Sequence, residues 1–286
     1  IVLQGLSTIN RSVPIWPKGW LNQTKVMGVI NLTPDSFSDG GDYFDSEKAT
    51  RRAANLIEEG VDVIDLGAQS TKPGAEEVGA NEELRRLLPA LTKIRENHPN
   101  VILSVDTFLS KVAEQALDNG ADWINDVSGG RRDPEMLRVV SDLNCPYVIT
   151  HSRGNSKTMD SLAKYNNLLS EILEELLSLV AGALNHGVRP ESIILDPGLG
   201  FAKTINQNIC ILNNLEQITS LGYPVLIGPS RKRFIGETIN VDNMEDRIWG
   251  TNAVLCKCVS RKIALVRVHD VFPAVKTIKM AQALWT

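Results

Sequence analysis

Eight stretches of this chain run from a short apolar segment into a polar side chain that can carry charge or direct a hydrogen bond. In order they deliver Asn31, Asp65, Asp106, Asn125, His151 with Arg153, Asp196, Ser230 with Arg231 and Lys232, and Arg267 with His269. Asp106, Asn125 and Asp196 can accept hydrogen bonds from a flat, donor-rich heterocycle. Lys232, Arg231, Arg267 and His269 come from the last two segments and suit a phosphate-type anion. The set reads as a bipolar site, carboxylates at one end and cations at the other. Taken singly, each residue has a plainer explanation: Asp and Asn cap helices and form turns, and His151 and His269 could be satisfied interior histidines. The plainer explanation does not cover eight polar ends on eight segments. No Ser/His or Cys/His nucleophilic pair is apparent from the sequence and no GK[ST] phosphate loop occurs, so covalent catalysis is not the first expectation.

These side chains need a frame that brings distant segments to one place. The apolar runs VMGVIN, VDVIDL, VILSVD, WIN, YVIT, IILD, VLIG and IALVRV are each followed by a helical pattern, giving eight strand–helix units. The runs are continuously apolar rather than alternating, the pattern of a parallel sheet covered on both faces. A (β/α)8 TIM barrel follows, and in that fold the chemistry sits at the C-terminal strand ends. A doubly wound open sheet is the alternative, disfavoured by the count of units. Helices are expected from Ser46 to Gly60, over Asp160 to His186, over 204–222 and over 232–260, with Gly60, Gly120, Gly187 and Gly222 as C-terminal caps. Leu168, Leu169, Ile172, Leu173, Leu176, Leu177 and Val180 then form a face that covers the barrel; an oligomer seam is the other reading. Residues 1–24 read as an N-terminal arm or hairpin closing the barrel bottom, and 25–286 as a single domain.

At 286 residues with 43% hydrophobic content the chain can bury a large core as one domain. The net charge of −4 comes from mixed acidic and basic residues without a basic block, so nucleic acid is not an expected partner. No apolar run approaches the roughly 20 residues of a membrane-spanning helix. Four cysteines without paired spacing fit a reducing compartment, and a cytoplasmic protein is expected.

The stretch MGVINLTPDSFSDGG, from Met27 to Gly41, passes from a buried strand into a polar, glycine-bearing loop. With IDLGAQSTKPGAE, SVDT, INDVSGG, DPGLGF, GPSRKRFIG and VRVHDV in that order, it closely resembles the dihydropteroate synthase family over about 24–284. The resemblance implies condensation of 6-hydroxymethyl-7,8-dihydropterin diphosphate with p-aminobenzoate, giving 7,8-dihydropteroate and pyrophosphate with Mg²⁺ as cofactor. It implies a pterin pocket of Asp106, Asn125, Asp196 and Lys232, and Asn31, Arg267 and His269 around the diphosphate and the metal, with Asn31 the metal ligand. Thr71, Pro73 and Ser230 would lie by p-aminobenzoate, where sulfonamides compete, and Asp65, Lys72, Phe201 and Arg231 complete the substrate-binding set. Catalysis would rest on Asp106, Asp196, Lys232 and Asn31, in a homodimer. The loop from Asn31 to Asp45 reads as a lid, with Asp35, Ser36 and Phe37 closing over the anion. Lys72, Gln69 and Ser152 depart from the family's usual Arg, Glu and Met. Competing readings are a methyltetrahydrofolate-dependent methyltransferase domain, which should lack the TPDSF and SRK motifs, and a non-catalytic pterin-binding paralogue or a domain of a multifunctional folate protein. A Schiff-base aldolase using Lys232 is more remote.

Overall fold

In a computed structural model of the protein, residues 19–33, 42–70 and 74–285 are described. The expected lid residues Asp35, Ser36 and Phe37, the triplet Thr71, Lys72 and Pro73, and the expected arm up to Lys18 lie outside the described residues. Eight strands carry the mouth: β1 (Lys25–Asn31), β2 (Val63–Gly67), β3 (Ile102–Asp106), β4 (Trp123–Asp126), β5 (Tyr147–Thr150), β6 (Ile193–Asp196), β7 (Leu226–Ile227) and β8 (Leu265–Val268). All pair in parallel, in the order β6-β5-β4-β3-β2-β1-β8-β7. A single parallel bridge, Leu195 to Val225, joins β6 to the approach of β7 and closes the ring. Every residue of β2, β4, β5 and β6 is buried, as a sheet lined inside and covered outside requires.

The covering layer consists of α1 (Asp42–Glu59), α2 (Ala80–Asn97), α3 (Ser110–Asp118), α4 (Met136–Leu143), α5 (Leu168–Asn185), α6 (Ile205–Asn213), α7 (Leu215–Thr219), α8 (Arg233–Ile239), α9 (Ile248–Ser260) and α10 (Val271–Trp285). Three expected helices differ. The stretch from Asp160 begins as a 3-10 turn at Met159–Leu162, and α5 starts only at Leu168, where the Asn167 side chain accepts the Ser170 N–H and caps it. The 204–222 stretch divides at Asn214, and 232–260 divides after Asn240, whose left-handed backbone (φ 57°) ends α8. On α5, Ile172, Leu176 and Val180 are buried whereas Leu177 is 45% exposed, so the stripe covers the barrel.

The barrel's lower interior is filled by Met27, Val63, Trp123, Val148, Ile194, Leu226 and Leu265, roughly one residue per strand. Trp20, in a 3-10 turn at Trp20–Asn22, plugs this end with its ring edge-on to Trp123 at 5.5 Å. With this end filled by Trp20 and the apolar layer, the opposite mouth is left for polar groups.

Candidate active site

Strand register sets the site. Asn31, Gly67, Asp106 and Asn125 face one another across β1 to β4 in a single row at the C-terminal ends. Asp65 lies two residues below Gly67 on the same face of β2, fully buried. From β8, on the far side of β1, Arg267 reaches both layers: Nε donates to Asp65 Oδ2 at 2.6 Å and Nη2 to Asp106 Oδ2 at 2.7 Å. Asn125 Nδ2 donates to the same Asp65 oxygen at 3.1 Å, and Asp65 Oδ1 is buried without a partner among the described residues. The expected separation of carboxylates from cations is thus corrected: the guanidinium lies against both Asp65 and Asp106, because a buried and a partly buried carboxylate demand a counter-charge.

Asp196, at the end of β6, accepts the Gly198 N–H at 2.7 Å. Burial pushes both Asp106 and Asp196 above the usual carboxylate range, opposed mainly by Arg267 for the first and Lys232 for the second. Lys232 donates to the Leu199 carbonyl and stands 4.6 Å over the Phe201 ring. Burial lowers its pKa to about 8, against the pull of Asp196. Ser230 Oγ is 3.1 Å from His269 Nδ1. Burial, with the Arg267 and Arg231 charges, holds His269 at about 4, so it is neutral at pH 7 and not the cation expected from sequence. Arg231 is bound by Asp270 at 2.6 and 3.1 Å, which leaves it no free charge. His151 and Arg153 point away from the mouth: His151 is wholly buried and bonds Glu175, and Arg153 pairs with Glu171 and Glu175.

Whether a divalent ion could join this site turns on Gly67. A Cβ there would lie 3.8 Å from Asn31 Oδ1, 3.7 Å from Asp106 Cβ and 3.8 Å from Asp106 Oδ2. The missing side chain leaves a small cradle walled by an amide oxygen and a carboxylate. Among the described residues no group of three His, Cys, Asp or Glu could hold a metal by itself. The donors fit Mg²⁺ that arrives with phosphate oxygens and needs few protein ligands.

Sequence reasoning missed Lys203, Glu83, Asp126 and the role of Gly67. Asp126 is buried and anchors the turn after β4 through Ser128 N, Gly130 N and the Tyr147 hydroxyl, each at 2.7 Å. Gln69 donates to the carbonyls of Ser70 and Glu76 and accepts the Val78 N–H, holding 76–78 against the end of β2; glutamate could not donate these bonds. Ser152 donates to the Val127 carbonyl at 2.8 Å and accepts from Arg131 at 3.1 Å, joining the loops after β4 and β5. An open groove beside Phe201 shares only that residue with the polar floor, and its Arg132 is paired with Glu77.

A closed (β/α)8 barrel whose mouth carries two buried carboxylates, a partly buried one, an amide and two cations defines a small-molecule enzyme scaffold for a flat, charged ligand. Residues 27–269 match the family described as pterin binding enzyme, and the chain belongs to that family. Among its relatives is a dihydropteroate synthase of Synechocystis sp., 44% identical over 93% of this chain and 92% of that one. Solved structures agree. The Xanthomonas albilineans dihydropteroate synthase with 4-aminobenzoic acid superimposes with a TM-score of 0.86, at 38% identity over 92% of this chain and 94% of that chain. The same enzyme in complex with 7,8-dihydropteroate gives 0.83 at 36% identity, with the same coverage of each chain.

Proposed function

We propose that this chain is a dihydropteroate synthase, joining 6-hydroxymethyl-7,8-dihydropterin diphosphate to p-aminobenzoate with release of pyrophosphate and a proton. The observation that carries the reading is the convergence of Asp65, Asp106, Asn125, Asp196, Lys232 and Arg267 in one mouth, in a chain 44% identical to a dihydropteroate synthase. Asp106, Asn125 and Asp196 take the ring donors and acceptors of the pterin, and Lys232 with Phe201 borders its flat face. As the bond from the methylene carbon to the diphosphate oxygen breaks, positive charge spreads into the ring, facing carboxylates, while negative charge gathers on the leaving group. Arg267 and Ser230, with neutral His269, face that anion. The nucleophile is an arylamine, neutral at pH 7, so its lone pair needs no strong base; Ser230 borders it, and sulfonamides compete there.

Mg²⁺ belongs to this reading: Asn31, beside the Gly67 cradle, would hold it together with the diphosphate, and it would neutralise charge on the leaving group. The chain is read as a homodimer, supported by the exposed Trp249, Phe272, Met280 and Leu284 on α9 and α10. Cytoplasmic residence is supported by Cys145, Cys210, Cys256 and Cys258, which are not joined in disulfides. The test is direct. Purified chain with the pterin diphosphate, p-aminobenzoate and Mg²⁺ should yield dihydropteroate and pyrophosphate in equal amounts, inhibited by a sulfonamide; absence of product from folded protein overturns the reading.

A further inference from the structure

Two residues beyond Phe201, in the turn between β6 and α6, the side chain of Lys203 folds inward and is only 6% exposed. The Thr204–Gln207 capping box starts α6 immediately afterwards, with the Gln207 side chain accepting the Thr204 N–H at 2.8 Å, so the backbone at Lys203 is held. Lys203 Nζ donates to the Phe201 carbonyl at 2.9 Å, and it lies 2.9 Å from His151 Nδ1 and 3.5 Å from the His151 carbonyl. None of these acceptors is a carboxylate. The charges around it are Asp196 and Lys232 toward the mouth and Glu175 and Arg153 behind; burial lowers its pKa to about 7.

Behind Lys203 the line continues. Burial holds His151 at about 4, so the ring is neutral, and with Nδ1 accepting from Lys203 its other nitrogen carries the proton. That nitrogen, Nε2, is 3.0 Å from Glu175 Oε2, and Arg153 Nε holds Glu175 at 3.1 Å. In front, the backbone N–H of His151 donates to the Asp196 carbonyl at 2.8 Å. Gly198, at φ +69°, is pressed so tightly on this strand that a Cβ would come within 1.9 Å of the His151 carbonyl oxygen. The turn bearing Asp196 and Phe201 is therefore laid on His151 and fastened from below by one ammonium.

From this geometry we infer that Lys203 is a positioning residue: by tying the Phe201 carbonyl to His151 it sets the Phe201 ring and the Asp196 carboxyl where a bound pterin meets them. The inference rests on the pterin reading given above. Stability alone is a poor reason for the residue, because a buried ammonium without a carboxylate partner is costly to desolvate. An apolar side chain of similar length would fill the same space at no such cost.

That contrast supplies the test. In K203M, melting temperature should be unchanged or raised, while affinity for a pterin analogue, measured by calorimetry, should fall about tenfold or more. The pterin diphosphate KM should rise with it, and the p-aminobenzoate KM should change much less. Pterin affinity within about twofold of the parent overturns the inference, as does a loss that merely tracks a lowered melting temperature. If K203M does not fold, K203Q is read by the same criteria. The parent chain is assayed for dihydropteroate alongside: its inactivity would overturn the reaction, whereas an active parent with an unaffected variant would overturn only the role of Lys203.

Discussion

At Asp196, removing one charge while keeping the shape separates recognition from folding. Asp196→Asn should weaken pterin binding by on the order of 1.5–3 kcal/mol, since a charged hydrogen bond to ring donors is lost, with circular dichroism unchanged. Parent-like affinity would count against the pocket. Gly67→Ala asks a different question of the neighbouring row. The backbone there is not left-handed, and the new methyl would touch Asn31 and Asp106 at ordinary contact distances of 3.7–3.8 Å, so the fold should hold. The methyl would nonetheless occupy the cradle, and we expect diphosphate and Mg²⁺ binding by calorimetry to drop by roughly tenfold, about 1.4 kcal/mol. Unaltered binding would exclude the cradle from the anion site. The strand-end residues are legible in the sequence because each follows an apolar run directly. Lys203 is not: it stands in a loop, and nothing in its neighbours says that the side chain turns inward. Arg267 is legible as a cation but not as the partner of Asp65 and Asp106, a contact spanning most of the chain.

Among the elements, α2 illustrates how a signal can be present and overlooked. Its buried residues are Glu83, Leu87, Ala90, Leu91 and Ile94, so Glu83 stands on the apolar stripe, one turn before Leu87. Neither of its carboxyl oxygens has a hydrogen-bond partner of good geometry among the described residues. Burial raises its pKa from the ordinary glutamate range to about 7, with the Thr107 hydroxyl opposing and Asp106 reinforcing. The folded chain therefore keeps a proton that the unfolded chain has released. Stability from this group is full below the ordinary glutamate value and is lost as pH rises through about 7. Glu83→Gln should flatten that slope, matching the parent near about pH 4.5 and exceeding it by on the order of 2–3 kcal/mol above about pH 8 in urea titrations. Parallel curves would show that Glu83 is not the titrating group. Strands β5 and β6 are legible to the residue because their apolar runs end abruptly at polar side chains. The division of 204–222 and 232–260 is not, because Asn214 and Asn240 sit in stretches whose periodicity continues across them.

For the whole molecule, the exposed apolar face of α9 and α10 predicts assembly. Trp249 is 74% exposed, and Trp249→Glu should shift the sedimenting species from two chains toward one without lowering the melting temperature of the barrel. A parent that sediments as a single chain would remove this face from consideration. The ring itself is uneven. Seven of its junctions are ladders, and the eighth is the lone bridge from Leu195 to Val225, with Leu195 N–H on the Pro224 carbonyl at 2.9 Å. Asp196 stands on one lip of that seam, and Lys232 follows the strand on the other. Local opening by hydrogen exchange should begin there, with Leu195 exchanging faster than the amides of β2 and β3. A pterin bonded to both lips would act as the clasp of a hoop, and saturating ligand should slow exchange at Leu195 more than elsewhere in the barrel; uniform protection would refute this. The substrate would then be the last piece of the barrel wall, and the empty chain a hoop left on a single stitch.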